Sequence, residues 1–340
     1  MIDRVLNVGL IGAGRIGRLH AQHLARRIPR ARLAAVADVV LASAMACASE
    51  NSAPNAVDDY RRLLEDPAVE AVVVCSATDT HSQIVADAAA AGKHVFCEKP
   101  IDLTLERTDA TLAGVHQAGV TLQIGFNRRF DANYRRARAA ITNAEVGTVW
   151  RLHIVSRDPS PPPIEYIRTS GGMFVDMTIH DFDMARFLIG AEVEEVFATA
   201  RVMVDSAIGT AGDVDTAVTV LRFANGVIGT IDNSRSAAYG YDQRVEIFGS
   251  GGMVATSNNY ESTAVISDRD SVHRDLPLNF FMQRYTDSYI AEMSAFVDCV
   301  LDGGTPPVTG EDGRAALVLG LAAQRSAREN RPVRVLSSNA

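Results

Sequence analysis

The sequence predicts an α/β domain built on a parallel sheet, followed by an α+β domain with a largely antiparallel open sheet. Three observations lead there. The first third alternates short β-rich runs with helical patterns, as a parallel sheet with crossover helices requires. After Gly125 the strands lengthen and mix polar with apolar positions, and Asn225-Gly226 between two of them signals a two-residue hairpin. A chain of 340 residues, 47% hydrophobic and 22% charged, is also long enough for two domains with separate cores.

Val5 to Ile11 reads as a compact apolar strand interrupted by Asn7 and Gly9, followed by a helix from about Arg15 that stops before Pro29. Leu33 to Ala37 is the second strand, and Asp59 to Leu64 a short helix closed by Asp66-Pro67. Ala71 to Cys75 carries no charge, as expected of a strand covered on both faces. Thr80–Ala91 and Leu105–Ala118 are the next helices, with strands at His94–Cys97 and Val120–Gly125. In the second half, strands are expected at Thr148–Arg157, Val193–Val204, Thr216–Phe223, Val227–Asp232 and Arg244–Phe248, paired as an antiparallel meander. Helices are expected at Ala132–Ile141, Phe174–Leu188, Tyr285–Leu301 and Glu311–Ala327. Ser160 to Pro163 reads as a stiff extended loop. The expected domains are residues 1–124 and 125–330, with the last helix able to pack back on the first.

Composition narrows the function. Thirty-three Lys and Arg against 41 Asp and Glu give a net charge of −8, against a general nucleic-acid binder that must neutralise phosphates. Cys47, Cys75, Cys97 and Cys299 lack C-x-x-C spacing and sit among apolar neighbours, so they read as reduced thiols. No apolar run reaches the roughly 20 residues that cross a bilayer, and Asp3 ahead of the first apolar stretch speaks against a secretory signal. The expected location is the cytoplasm.

Gly12-Ala13-Gly14-Arg15-Ile16-Gly17 fits G-x-G-x-x-G, leaving a strand and opening a helix. In a Rossmann domain the first glycine makes the tight turn, the second lets pyrophosphate approach, and the third packs helix on strand. The phosphate would sit on the free N–H groups at the helix start. Asp38 ends the second strand, where a carboxylate accepts both adenosine ribose hydroxyls and repels a 2′-phosphate. No arginine follows it, which favours NAD over NADP; the alternative is a turn residue capping the next helix. The carboxyl ends of later strands should face the cofactor too, which adds Ser76, Thr78, Asp79, His81, Glu98 and Lys99.

Cys97-Glu98-Lys99-Pro100-Ile101 ends the strand that begins at His94, and the segment from Gly171-Gly172 through Asp176 to His180-Asp181 opens a helix in the second domain. With the fingerprint and the C-terminal sheet, these segments resemble the Gfo/Idh/MocA (glucose–fructose oxidoreductase and inositol dehydrogenase) family over nearly the whole chain. The likeness within it is to inositol 2-dehydrogenases, carried by Gly125-Phe126-Asn127-Arg128-Arg129-Phe130-Asp131, by Ser156-Arg157-Asp158-Pro159 and by His180 through Arg186. The resemblance implies NAD-dependent oxidation of a secondary hydroxyl of a cyclic polyol, myo-inositol to 2-keto-myo-inositol (scyllo-inosose), by hydride transfer. It implies a homo-oligomer, a tetramer or a dimer. Alternatives are another inositol isomer, an aldose or an anhydro sugar as substrate, and, outside catalysis, an NAD-binding sensor or co-repressor. The sensor would have lost its reactive residues, and this chain keeps them.

Asp176 and His180 are four apart, so on one helix they share a face, and a carboxylate beside an imidazole stabilises the imidazolium formed as it takes a proton. Lys99 would steady the developing alkoxide. The family assigns catalytic roles to the matching Lys99, Asp176 and His180. Each also has a plainer reading: Asp176 as a first-turn residue, His180 as a core histidine, Lys99 as a solvated strand end. Asp-x-x-x-His could instead hold a metal, yet no third ligand stands at a telling spacing, and no metal is expected. The expected substrate contacts are Arg128, His153, Asp158, and Tyr239 or Tyr241, besides Lys99, Asp176 and His180. Arg129, Arg135 and Arg136 could equally be solvated.

Overall fold

Six short apolar runs of the N-terminal third pair in parallel in the computed structural model, which describes residues 4–335 and so leaves Asp3 outside. They are β1 (Leu6–Ile11), β2 (Ala31–Ala37), β3 (Asn55–Val57), β4 (Ala71–Val74), β5 (His94–Glu98) and β6 (Leu122–Gly125). Their order is β3-β2-β1-β4-β5-β6, so the winding reverses between β1 and β4. Every residue of β4 is buried, which explains its lack of charge. A helix at Leu41–Glu50, not among those expected, leads from β2 to β3.

The chain forms two units, and the first takes residues up to Asn127 together with Asp287–Leu317. From the helix Thr286–Asp302, Met293, Phe296 and Val297 join the buried cluster of Leu6, Val8, Leu10, Val73 and Phe96. The Phe96 and Phe296 rings meet edge to face, 5.9 Å between centroids.

The second unit, Arg128–Thr286 with the chain from Val318 onward, is built on a seven-stranded sheet. Its strands are β7 (Val149–Arg157), β8 (Val193–Arg201), β9 (Thr216–Phe223), β10 (Ile228–Ser234), β11 (Asp242–Gly249) and β12 (Gly252–Ala255). β13 (Val265–Ser267) and β14 (Val272–Arg274) form a separate hairpin, and β15 (Val333–Arg334) closes the large sheet's edge. The order is β12-β11-β7-β10-β9-β8-β15. The meander expectation holds at the β9–β10 hairpin around Asn225-Gly226 but not throughout, because β7 and β10 pair in parallel. Alternation sets the faces: Ile154, Ile231, Ser156, Asn233 and Gln243 are buried on one side, while Val218, Val220 and Ile228 are exposed on the other.

The helix expected over Phe174–Leu188 is two: Met173–Asp176 and Ile179–Ile189. Met177 and Thr178 keep helical dihedrals, but the Thr178 amide reaches back to the Met173 carbonyl, one residue too far for an α-helix. The Thr178 hydroxyl meets Asn233 Oδ1 at 3.0 Å, so a tertiary contact anchors the break. Among the described residues no helix is long and apolar enough to cross a membrane.

Candidate active site

In the first unit, the Gly12 turn has φ +95°, and a Cβ there would lie 2.6 Å from the Cys75 carbonyl, so only glycine fits. A Cβ on Gly17 would fall 1.8 Å from the Gly12 carbonyl oxygen, which is the close packing of helix on strand. Gly14 faces open space, with nothing within 4 Å of its Cβ position, and it starts the helix Arg15–Arg26. Ala13, Arg15 and Ile16 lie on the same turn at the carboxyl end of β1. That is the approach a pyrophosphate needs, at a helix N-terminus.

Asp38 does not cap the helix that follows β2, whose N-cap is Val40 with no side-chain hydrogen bond. Its Oδ2 accepts from the Ala13 amide at 2.7 Å and its Oδ1 from the Val40 amide at 2.8 Å. The carboxylate is thereby pinned beside the glycine turn.

At the ends of β4 and β5, His81 is buried and bridges the carbonyls of Ser76 (3.1 Å) and Pro100 (2.8 Å), tying two loops together. The Ser76 hydroxyl pairs with Thr80 at 2.7 Å, while Thr78 and Asp79 form a 3₁₀ turn with Thr80. Glu98 turns to His20, Nε2 to Oε1 2.8 Å, and with Glu292 these bring ligand atoms within 4.8 Å of one another. Burial, then the charge of Glu98, pushes the Glu292 carboxyl well above its ordinary range. Lys99, half-buried, follows Glu98 at the carboxyl end of β5.

The second unit gathers a buried polar cluster. Arg128 ion-pairs with Asp181 at 2.6 Å, with Ser156 Oγ and the Tyr241 hydroxyl each 3.5 Å from its other nitrogen. Asn233 donates to the second oxygen of Asp181 at 2.8 Å. Burial pushes the Asp181 carboxyl up, and Arg128 pulls it back. The chemistry is that of a desolvated charge pair whose members satisfy each other. Asp176 ends the short helix Met173–Asp176 and accepts from the Tyr166 hydroxyl at 2.7 Å. His180 stands second in the next helix. Asp158 follows β7, its carboxyl pushed up to about 6 by burial and by Asp176 and Asp181, against the pull of Arg235 and Arg128. Those charges place Asp158 among the same group.

Two expected contacts go elsewhere. His153 pairs with Thr230 at 2.9 Å, and alternation along β7 puts it on the sheet face opposite Ser156. Tyr239 donates to Asp242 at 2.6 Å and accepts from Arg157 at 3.0 Å, whereas Tyr241 is the tyrosine beside Arg128. Of the remaining arginines, Arg129 forms a buried pair with Asp183 at 2.5 Å, while Arg135 and Arg136 are exposed. Sequence reading did not single out Asp181, Asn233, Tyr166, Asp213 or Arg235. Charged Asp181 and Asp183 in the helix Ile179–Ile189 were the one available signal; Asn233 gains meaning from strand register, and Tyr166, Asp213 and Arg235 only from tertiary packing.

Comparison with known proteins follows the geometry. Residues 6–126 match the oxidoreductase family with an NAD-binding Rossmann fold, and residues 134–255 match the GFO/IDH/MocA C-terminal domain. The chain is 50% identical over 330 residues to a myo-inositol 2-dehydrogenase of Thermotoga maritima, covering 97% of this chain and 98% of that one. It is 46% identical over 327 residues to an inositol 2-dehydrogenase of Rhizobium meliloti, covering 96% and 98%. A crystal structure of scyllo-inositol dehydrogenase from Lactobacillus casei with bound NAD(H) and scyllo-inositol superposes with a TM-score of 0.92 at 29% identity, covering 98% of this chain and 100% of that one. Two family models in succession, on the two folds described, establish that the chain is an oxidoreductase of the GFO/IDH/MocA family with an NAD-binding Rossmann domain.

Proposed function

We propose that this enzyme oxidises the 2-hydroxyl of myo-inositol to 2-keto-myo-inositol (scyllo-inosose) with NAD. The observation that carries the reading is the buried Arg128–Asp181 pair with Ser156, Tyr241 and Asp158 around it, a dense set of donors and acceptors of the kind a polyhydroxylated ring requires. The names of the relatives point the same way.

The glycine turn, open at Gly14 and flanked by a pinned Asp38 carboxylate, fits a dinucleotide with free ribose hydroxyls. NAD, when bound, supplies the hydride acceptor. His180 takes the hydroxyl proton, and Asp176 stabilises the imidazolium that results. Lys99 lends positive charge to the alkoxide as it forms. Asp158, Arg128 and Tyr241 orient the remaining hydroxyls by hydrogen bonds that a deoxy analogue would leave unmade.

The test is a panel of inositols and sugars incubated with the protein and NAD, followed by the absorbance of reduced nicotinamide. Turnover is expected with myo-inositol, and Lys99→Ala and His180→Ala should each lower it about 10²-fold or more. Turnover of an aldose with none of myo-inositol would overturn the substrate, and tight NAD binding without reduction by any polyol would leave a sensor.

A further inference from the structure

Asp176 is held by donors from two other elements of its own unit. Tyr166, in the short helix Ile164–Ile167, donates its hydroxyl to Oδ1 at 2.7 Å. Arg235, just past β10, places a guanidinium nitrogen 3.5 Å from Oδ2. The same guanidinium, only 1% exposed, reaches Asp213 Oδ2 at 3.3 Å. Asp213 in turn accepts from the Met173 amide at 3.0 Å, the first N–H of the helical turn that ends in Asp176. Gly172 precedes that turn at φ +78°, where a Cβ would meet Asp213 Oδ1 at 2.8 Å, so the carboxylate occupies a space only glycine leaves. The turn is therefore fixed at its start by Asp213 and at its end by Tyr166, and Arg235 ties the two carboxylates together.

From this arrangement we infer that Arg235 and Tyr166 are positioning residues for Asp176, setting the direction in which its carboxylate meets the reacting group. The inference rests on the catalytic reading of Asp176 above. Arg235 is too buried to reach a substrate, and a short helical turn of four residues cannot by itself hold a carboxylate in one orientation. The planar fork of arginine meets two carboxylates in fixed geometry; a lysine ammonium keeps the charge and loses the fork. Arg235 also faces Asp158, so its removal would leave three carboxylates short of a cation. For that reason Arg235→Lys, not an apolar variant, is the informative change.

The experiment is a double-mutant cycle in steady-state turnover of myo-inositol by Arg235→Lys, Tyr166→Phe, Asp176→Asn and the two doubles with Asp176→Asn. Arg235→Lys should lower kcat about tenfold and Tyr166→Phe several-fold, with KM for NAD within about twofold of the parent. In the Asp176→Asn background each should add less than about a twofold loss, because both act through that carboxylate. Tyr166 is half exposed, so its variant tests the inference even if Arg235→Lys fails to fold. Losses that multiply with that of Asp176→Asn, or a lowered melting temperature with unchanged kcat, would overturn the inference. A wild-type protein that reduces NAD with no polyol would remove the catalytic reading and this inference with it, an outcome distinct from multiplying losses.

Discussion

Single side chains carry the sharpest chemical consequences. Asp38 is fixed by the Ala13 and Val40 amides, leaving its outer lone pairs for hydroxyls and its charge set against a 2′-phosphate. Asp38→Ser should therefore lower the preference for NAD over NADP, measured as the ratio of kcat/KM with the two cofactors; an unchanged ratio would reduce Asp38 to a turn residue. Burial pushes the Asp158 carboxyl up to about 6, against the pull of Arg235 and Arg128. In its proposed role, Asp158 would offer substrate hydroxyls an ionised acceptor above that pH and a protonated one below it. KM for the polyol is expected to rise as pH falls through about 6, and Asp158→Asn should raise KM while flattening that dependence. Glu292 gives the complementary case. Its folded carboxyl sits well above its ordinary range, so between that range and the folded value folding must take up a proton. Stability from this group is full at acid pH and falls as pH rises, and Glu292→Gln should gain on the wild type in thermal melts across the window above the ordinary carboxylate range. Parallel melting curves across that window would refute it.

At the scale of elements, periodicity says that a helix exists and only packing says where it belongs. The helix Thr286–Asp302 was expected from its pattern, within a few residues of its observed ends. Its apolar face, Met293, Phe296 and Val297, completes the first unit's core, although it lies some 160 residues after that unit's last strand. Phe296→Ala should cost about 3–5 kcal/mol in denaturant unfolding, the range for an aromatic lost from a packed core. A loss under 1 kcal/mol would show that the helix adds little to that core. The break between Met173–Asp176 and Ile179–Ile189 is the opposite lesson. Nothing in the local pattern marks it, because Met177 and Thr178 suit a helix; the partner of the Thr178 hydroxyl, Asn233, stands on β10. β7 and β10 are likewise both plausible meander strands by pattern, and their parallel pairing follows from a sheet order that local alternation does not encode.

For the molecule as a whole, the sequence by itself determined the two fold classes, the glycine turn and the carboxylate after β2, and it pointed to Lys99, Asp176 and His180 through the family resemblance. The first three are legible from local physics, a tight turn that only glycine makes and a strand end; Lys99, Asp176 and His180 are carried by the family motif, and the helix break at Met177 and Thr178 separates the last two. Tertiary structure alone decided which face each strand residue takes and which distant side chains meet. It put Tyr241 rather than Tyr239 beside Arg128, turned His153 to the opposite face, and enclosed Asp176 with Tyr166, Arg235 and Asp213. The physical reason is register: with a period of two, the face of every strand residue depends on pairings made across tens of residues, and buried charges find their counter-ions only when those pairings close.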